Sequence, residues 1–400
     1  MDHGKVVLAY SGGLDTSVAV KWLQENYQVD VVTVTVDLGM VDLESVKKRA
    51  LDCGAVKAIA VDGKATFIKD FVFPSLRAGA IYQDQYPLCT ALGRPLIAKY
   101  MTEVAKQEGA SGIAHGCTGK GNDQVRIEVS ISALDPGLKI IAPIREWGMS
   151  REAELEYAKK HNIPVQAKNT LYSTDDNLWG RSIEAGSLEN PWQEPSVDAF
   201  EWTKSIEEAT GDPLVLEVDF LEGTPIALNR EEINHVDLVT TLNDLAGQHG
   251  FGRIDHLEDR LVGIKSREVY ETPAALVLHK AHKALENMTL TKAQQNMKHN
   301  VAQEYADLVY NGLWFSAHRH DLDSYVQSTQ RYVTGTVRLK LIKGNCIVIG
   351  RKSPYSLYEY DLATYDKGDT FNHSAAKGFI DIWGLSARTQ SKTQNRDTDN

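Results

Sequence analysis

Lys5 to Ser17 reads KVVLAYSGGLDTS, and its two halves follow different rules. Lys5 to Tyr10 is a near-continuous β-rich apolar run, the pattern of a strand covered on both faces of a parallel sheet. Ser11-Gly12-Gly13-Leu14-Asp15 is a turn. From Thr16 to Gln24, Val18, Ala19, Trp22 and Leu23 fall on one helical stripe. Adjacent glycines let the backbone bend sharply and come close to a ligand, and a helix start aims unpaired N–H groups and the positive end of its dipole at that ligand. Strand, glycine turn and helix together make an anion site at the carboxyl end of the first strand, where open α/β sheets bind ligands. Ser11, Thr16 and Ser17 add hydroxyl groups. The loop is neither a Walker A sequence nor a Gly-x-Gly-x-x-Gly dinucleotide fingerprint.

Outward from this segment, Val29 to Asp37, Lys57 to Asp62, Gly112 to His115 and Lys139 to Ala142 read as further buried strands. Between them Arg94 to Glu108 is helical, with Pro95 suited to a first turn, and another helix starts at Ser150 as N-cap and ends before Pro164. Residues 1–167 are therefore expected to be a Rossmann-like parallel-sheet α/β domain that binds a nucleotide. From Ala167 to Pro213 the chain is rich in Asn, Asp, Ser, Gly, Trp and Pro and reads as a long ordered loop. An α+β domain over 168–365 follows. It has hairpins at Leu214–Leu228 and Thr336–Arg351, and helices at Glu231–Gln248, Pro273–Glu286, Thr291–Tyr310 and Asp321–Thr329. Residues 366–385 are expected to form a C-terminal helical arm. Residues 386–400 lack large apolar side chains and are expected to be a disordered tail.

Composition narrows the function classes. Four hundred residues, 42% of them apolar, exceed what a single core holds. The 43 basic and 54 acidic residues give a net charge of −11, which disfavours nucleic acid as a partner and favours small substrates. Cys53, Cys89, Cys117 and Cys346 form no Cys-x-x-Cys pair, which argues for reduced thiols and against a zinc or redox motif. No apolar run approaches the length of a membrane span, and Met1 to Lys5 has no signal-peptide character, so a cytoplasmic location is expected.

Ser-Gly-Gly-x-Asp-Ser/Thr after a strand resembles the PP-loop of the ATP pyrophosphatases, which cleave ATP between its α and β phosphates. Four further segments resemble, in order, the argininosuccinate synthases. These are Tyr86 to Ala98 (YPLCTALGRPLIA), His115 to Arg126 (HGCTGKGNDQVR), Ser173 to Ser182 (STDDNLWGRS), and Gly252 to Asp255 through Lys265 to Pro273. The second has its own chemical logic: its glycines bring the backbone close to a ligand, Asn122 both donates and accepts, Arg126 can fork a carboxylate and Asp123 can pair with an ammonium.

The resemblance implies that ATP, with Mg²⁺, lies against Ala9, Tyr10, Ser11, Gly12, Gly13, Leu14, Asp15, Thr16, Ser17, Val36 and Gly116. It implies L-citrulline at Tyr86, Asn122, Arg126, Ser173, Ser182, Glu258 and Tyr270, and L-aspartate at Thr118, Asn122 and Asp123. Many relatives carry a second hydroxyl residue at the position of Ala91, leaving Thr90 as the only substitute for that citrulline contact. Asp15, Asn122 and Asp123 are the expected catalytic residues. Asp15 would orient the loop or hold the magnesium through water, and no protein metal site is expected. The ureido oxygen of citrulline would attack the α phosphate to give a citrullyl-adenylate and pyrophosphate, and the aspartate amine would then displace AMP. His115 is the nearest candidate for a general base, with a structural role as the alternative. The second domain would serve synthesis and multimerisation, giving a homotetramer. A tRNA thiolase and a non-catalytic nucleotide sensor are the competing readings. The acidic balance opposes the first, and the roughly 230 residues beyond the first domain are unexplained by the second.

Overall fold

A computed structural model describes residues 4–39, 41–164 and 171–394. Strands β1 (Lys5–Ala9), β2 (Asp30–Asp37), β3 (Lys57–Asp62), β4 (Gly112–Ala114) and β5 (Lys139–Ile141) pair in parallel in the order β3-β2-β1-β4-β5. This is the doubly wound arrangement expected from the valine-rich runs. The first helix, Leu14–Tyr27, opens ahead of the expected Thr16 with Gly13 as its N-cap. Ser150 caps the helix Arg151–Lys160 by accepting a hydrogen bond from the Ala153 N–H.

The departure that matters most for the site is in the helix after Tyr86. Cys89–Glu108 starts well before Arg94, so Pro95 lies inside the helix and not in its first turn. The early start has a visible cause: the Tyr86 hydroxyl accepts from the N–H groups of Thr90 (2.9 Å) and Ala91 (3.4 Å), two of the donors that a helix start leaves unpaired. Leu92 and Leu96 on this helix pack with Tyr86, Trp179 and Tyr270, whereas Ala98, Met101, Val104 and Ala105 pack under the parallel sheet with Val7, Val32 and Ile113. The helix is thus common to two cores, and the chain up to Tyr355 is one compact unit. The expected 167/168 boundary lies outside the described residues.

The remaining strands are β6 (Ser173–Asn177), β7 (Gly180–Glu184), β8 (Leu214–Leu221), β9 (Thr224–Leu228), β10 (Glu231–Glu232), β11 (Arg253–Asp259), β12 (Lys265–Glu271), β13 (Gly335–Ile342) and β14 (Asn345–Lys352). They form two antiparallel sheets, β10-β9-β8-β13-β14 and β11-β12-β7-β6. Both expected hairpins are present, and β10 occupies the place where the Glu231–Gln248 helix was expected to start; that helix runs His235–Gln248 from Asn234 as cap. The stretch that reads as an ordered loop contains the β6–β7 hairpin. Its turn is pinned by Trp179, fully buried, whose Nε1–H donates to the Pro87 carbonyl at 2.9 Å, and by Asn177, which donates to the Cys89 carbonyl at 2.9 Å.

A second unit begins at Ser356. It holds the helices Tyr360–Ala363, His373–Trp383 and Leu385–Gln394, so the segment expected to be a disordered tail is helical as far as Gln394. Residues 395–400 lie outside the described part of the chain. Among the described residues no helix is long and apolar enough to cross a membrane.

Candidate active site

In the strand order β3-β2-β1-β4-β5, the connections leaving β1 and β4 diverge, and a crevice opens at their carboxyl ends. Ala9, Tyr10, Ser11 and Thr16 form one wall of this cleft, Val36 and Leu38 another, and His115, Gly116, Cys117 and Thr118 a third. Gly12 turns the loop after β1 with φ +79°, a left-handed conformation that a side chain disfavours. Gly116 lets the second loop approach the first, since a Cβ there would sit 2.8 Å from Thr16 Cγ2. Leu14 and Ser17 are buried beneath the loop, with Ser17 Oγ 3.0 Å from the Tyr10 hydroxyl, so their side chains support the turn from below. Asp15 does not line the cleft. Its carboxylate faces the helix Arg151–Lys160, 3.5 Å from Arg151 Nη1. Burial and the Asp15 carboxylate push Glu154 on that helix up to about 7.

A second cavity adjoins the cleft. Tyr86, Thr90, Asn122, Arg126, Ser182, Glu258 and Tyr270 line it, which brings together every residue expected for citrulline except Ser173. Ser173 sits at the exposed end of β6, paired with Glu184. Thr90 faces the cavity with its hydroxyl 2.7 Å from that of Tyr86, while Ala91 is fully buried. Tyr86 stacks on Tyr270 with ring centroids 4.4 Å apart, and the Glu258 carboxylate accepts from the hydroxyls of Tyr270 (2.5 Å) and Tyr310 (2.6 Å). Asn122 is already engaged on both amide atoms: it donates to the Tyr310 hydroxyl and accepts from the Leu261 N–H, each at 2.9 Å. Arg126 donates through Nε to the Tyr310 carbonyl and through Nη1 to Asp123, while its Nη2 is buried without a partner. An unpaired buried guanidinium nitrogen invites an anion.

The two cavities share Gly121, Asp123, Asp175 and Glu184. At this junction Arg94 Nη2 bonds both Asp123 (2.7 Å) and Asp175. Burial works against a charged Asp123, but Arg94 and Arg126 outweigh it and hold its carboxyl below the usual carboxylate range. Asp175 goes the other way: burial raises it, the neighbouring Asp123 charge adds to the rise, and Arg94 offsets only part. Two adjacent carboxylates are thereby driven apart.

Arg94, Asp175, Tyr310, Glu184 and Arg260 were not singled out in the sequence. Arg94 and Asp175 stood inside quoted segments, but nothing local marks which polar residue of a helix or strand faces a cavity. Arg145 was also missed. It donates to Gln124 Oε1 at 2.9 Å, and Gln124 Nε2 donates to the Gly119 carbonyl at 2.7 Å, so the glycine-rich loop is tied down from behind. His115 belongs to the same network. Its Nδ1 accepts from the Cys117 N–H at 3.2 Å, which leaves Nε2 to carry the proton and donate to Glu128 at 3.0 Å. With both nitrogens committed to hydrogen bonds, His115 fits the structural role.

Residues 5–164 match the model of the arginosuccinate synthase N-terminal HUP domain, and residues 172–390 match that of the arginosuccinate synthase C-terminal domain. The chain belongs to the argininosuccinate synthase family. It is 57% identical to the argininosuccinate synthase of Dehalococcoides mccartyi over 98% of this chain and 97% of that one. The enzymes of Symbiobacterium thermophilum (54%, covering 98% and 99%) and Brevibacillus brevis (52%, covering 98% and 94%) are similar over nearly their whole lengths. The chain is accordingly an ATP-using ligase that joins citrulline and aspartate in arginine biosynthesis.

The pairing of Glu154 with Asp15 has a pH signature. A carboxyl raised on folding contributes stability that is full below its unfolded value, near 4.5, and is lost as pH rises through about 7. Glu154→Gln is expected to match the wild type in thermal midpoint at pH 4.5 and to exceed it at pH 8. Equal midpoints at both values would show that the pair is not strained.

Proposed function

We propose that the phosphate loop holds the β and γ phosphates of ATP while citrulline lies in the tyrosine-walled cavity, so that the ureido oxygen meets the α phosphorus where the two cavities join. The shared wall of Asp123, Asp175 and Glu184 carries this reading, because the same side chains border both pockets. The first-turn N–H groups and the dipole of the helix Leu14–Tyr27 face the outer phosphates, with the Ser11 and Thr16 hydroxyls beside them. Mg²⁺ accompanies the triphosphate as part of the substrate and spreads its charge. Asp15 fixes the loop through Arg151.

Arg126 receives the citrulline carboxylate on its unpartnered Nη2, while Ser182, Thr90 and the Glu258–Tyr270 pair fix the rest of the molecule. Thr118 and Asp123 take aspartate, whose ammonium pairs with the ionised Asp123 carboxylate, and Asn122 lies between the two amino acids. In the first step the ureido oxygen bonds to the α phosphorus and pyrophosphate leaves. In the second the aspartate nitrogen bonds to the ureido carbon and AMP departs with the C–O electron pair. Positioning and charge neutralisation supply most of the rate.

Asp123→Ala is expected to raise the KM for aspartate by on the order of 10- to 100-fold, the cost of a charge-assisted bond, with a much smaller change for citrulline. Equal rises in both would refute the placement.

The arm supports a homotetramer of this chain. Within the second unit Phe379, Ile380, Ile382 and Trp383 are 61–77% exposed on one short helix, an apolar surface suited to a second copy. Trp383→Asp is expected to shift light-scattering mass toward smaller species. An unchanged tetramer would remove the arm from the interface. Four free cysteines accord with a cytoplasmic location.

A further inference from the structure

The second step needs a base, because the aspartate nitrogen arrives as an ammonium and must lose a proton before it can attack, and both ring nitrogens of His115 are already hydrogen-bonded within the protein. We propose that Asp175 is this base and removes the proton at the junction of the two cavities. The inference rests on the ligand placement proposed above.

The reacting carbon lies at the junction, since the ureido oxygen reaches the α phosphorus only there. Three carboxylates border both cavities. Asp123 is held by two guanidinium groups, which makes it a good partner for an ammonium and a poor acceptor for its proton. Glu184 is 40% exposed and spent on Arg260 at the outer end of the hairpin. Asp175 has a single cationic partner, Arg94, and shares the same nitrogen of it with Asp123. An ammonium held by Asp123 therefore lies beside Asp175.

The groups facing Asp175 act together. Arg94 and Cys89 come from the helix Cys89–Glu108, Asp123 and Arg126 from the helix Asp123–Leu134, Cys117 from the glycine-rich loop, and Asp176 from its own strand. Burial and the Asp123 charge raise Asp175, and the arginines offset this in part. The result is a carboxylate more basic than an ordinary one, the adjustment that general-base catalysis near neutral pH requires.

The step balances. Asp175 accepts one proton from the ammonium and becomes a neutral acid. The freed electron pair forms the N–C bond, the C–O bond to AMP breaks with its electrons on the phosphate oxygen, and the proton passes from Asp175 to that oxygen or to water. Neither oxidant nor further co-reactant is involved.

Two half-reactions test it. Asp175→Asn keeps the shape and a hydrogen bond to Arg94 but cannot take a proton. Citrulline-dependent exchange of labelled pyrophosphate into ATP, run without aspartate, should stay close to the wild-type rate, while ligation of aspartate falls by about 10²- to 10⁴-fold. Hydroxylamine, uncharged at neutral pH and needing no base, should capture the adenylate equally well in both proteins. Asp175→Glu, which restores a base on a longer arm, should recover part of the ligation. The acid limb of kcat/KM for aspartate should be present in the wild type and absent from Asp175→Asn. Exchange and ligation falling together, ligation near the wild-type rate, or hydroxylamine capture falling as far as aspartate ligation would each overturn the assignment. Absence of citrulline-dependent exchange in the wild type would instead overturn the ligand placement.

Discussion

Parallel strands β1 and β4 lie side by side while the chain leaves them in opposite directions, and no connection crosses the gap at their carboxyl ends. That gap is the constraint on which the rest of the structure depends. Two glycine-bearing loops descend into it, one after each strand, and Gly116 allows them to approach within van der Waals contact. The helix Cys89–Glu108 then carries the gap into the second half of the molecule: its C-terminal part supports the sheet, its N-terminal part belongs to the larger core, and Arg94 between them reaches the opening.

Charge decides what this geometry is good for. A single guanidinium nitrogen lies between Asp123 and Asp175, and the two carboxylates answer differently because Asp123 has Arg126 as well. Separated basicities in adjacent groups are how one site holds a charge with one residue and moves a proton with another. Tyr86 and Tyr270 stack as one wall of the adjoining cavity, with Tyr310 edge-on to Tyr86 behind them.

The parallel sheet was legible because fully buried strands leave continuous valine and isoleucine runs, and the glycine turn after β1 because strand, glycines and helix follow one another within thirteen residues. The tyrosine-walled cavity was legible only through family resemblance. Its strands β6, β7, β11 and β12 carry polar side chains toward a cavity and lack the apolar alternation that marks a half-buried strand, so STDDNLWGRS reads as a loop. The early start of the helix Cys89–Glu108 was hidden because its cap is a tyrosine hydroxyl. For Asp15 the sequence left two roles open, orienting the loop or holding magnesium through water, because only the position of the helix Arg151–Lys160 shows that its carboxylate faces Arg151.

Attack of the ureido oxygen on the α phosphorus, where the two pockets meet, is the step proposed. Citrulline labelled with heavy oxygen on its ureido group, incubated with ATP and aspartate, settles this by mass spectrometry of the nucleotide product. The expected product is AMP carrying the heavy oxygen on its phosphate. Unlabelled AMP, or ADP with orthophosphate, would contradict it.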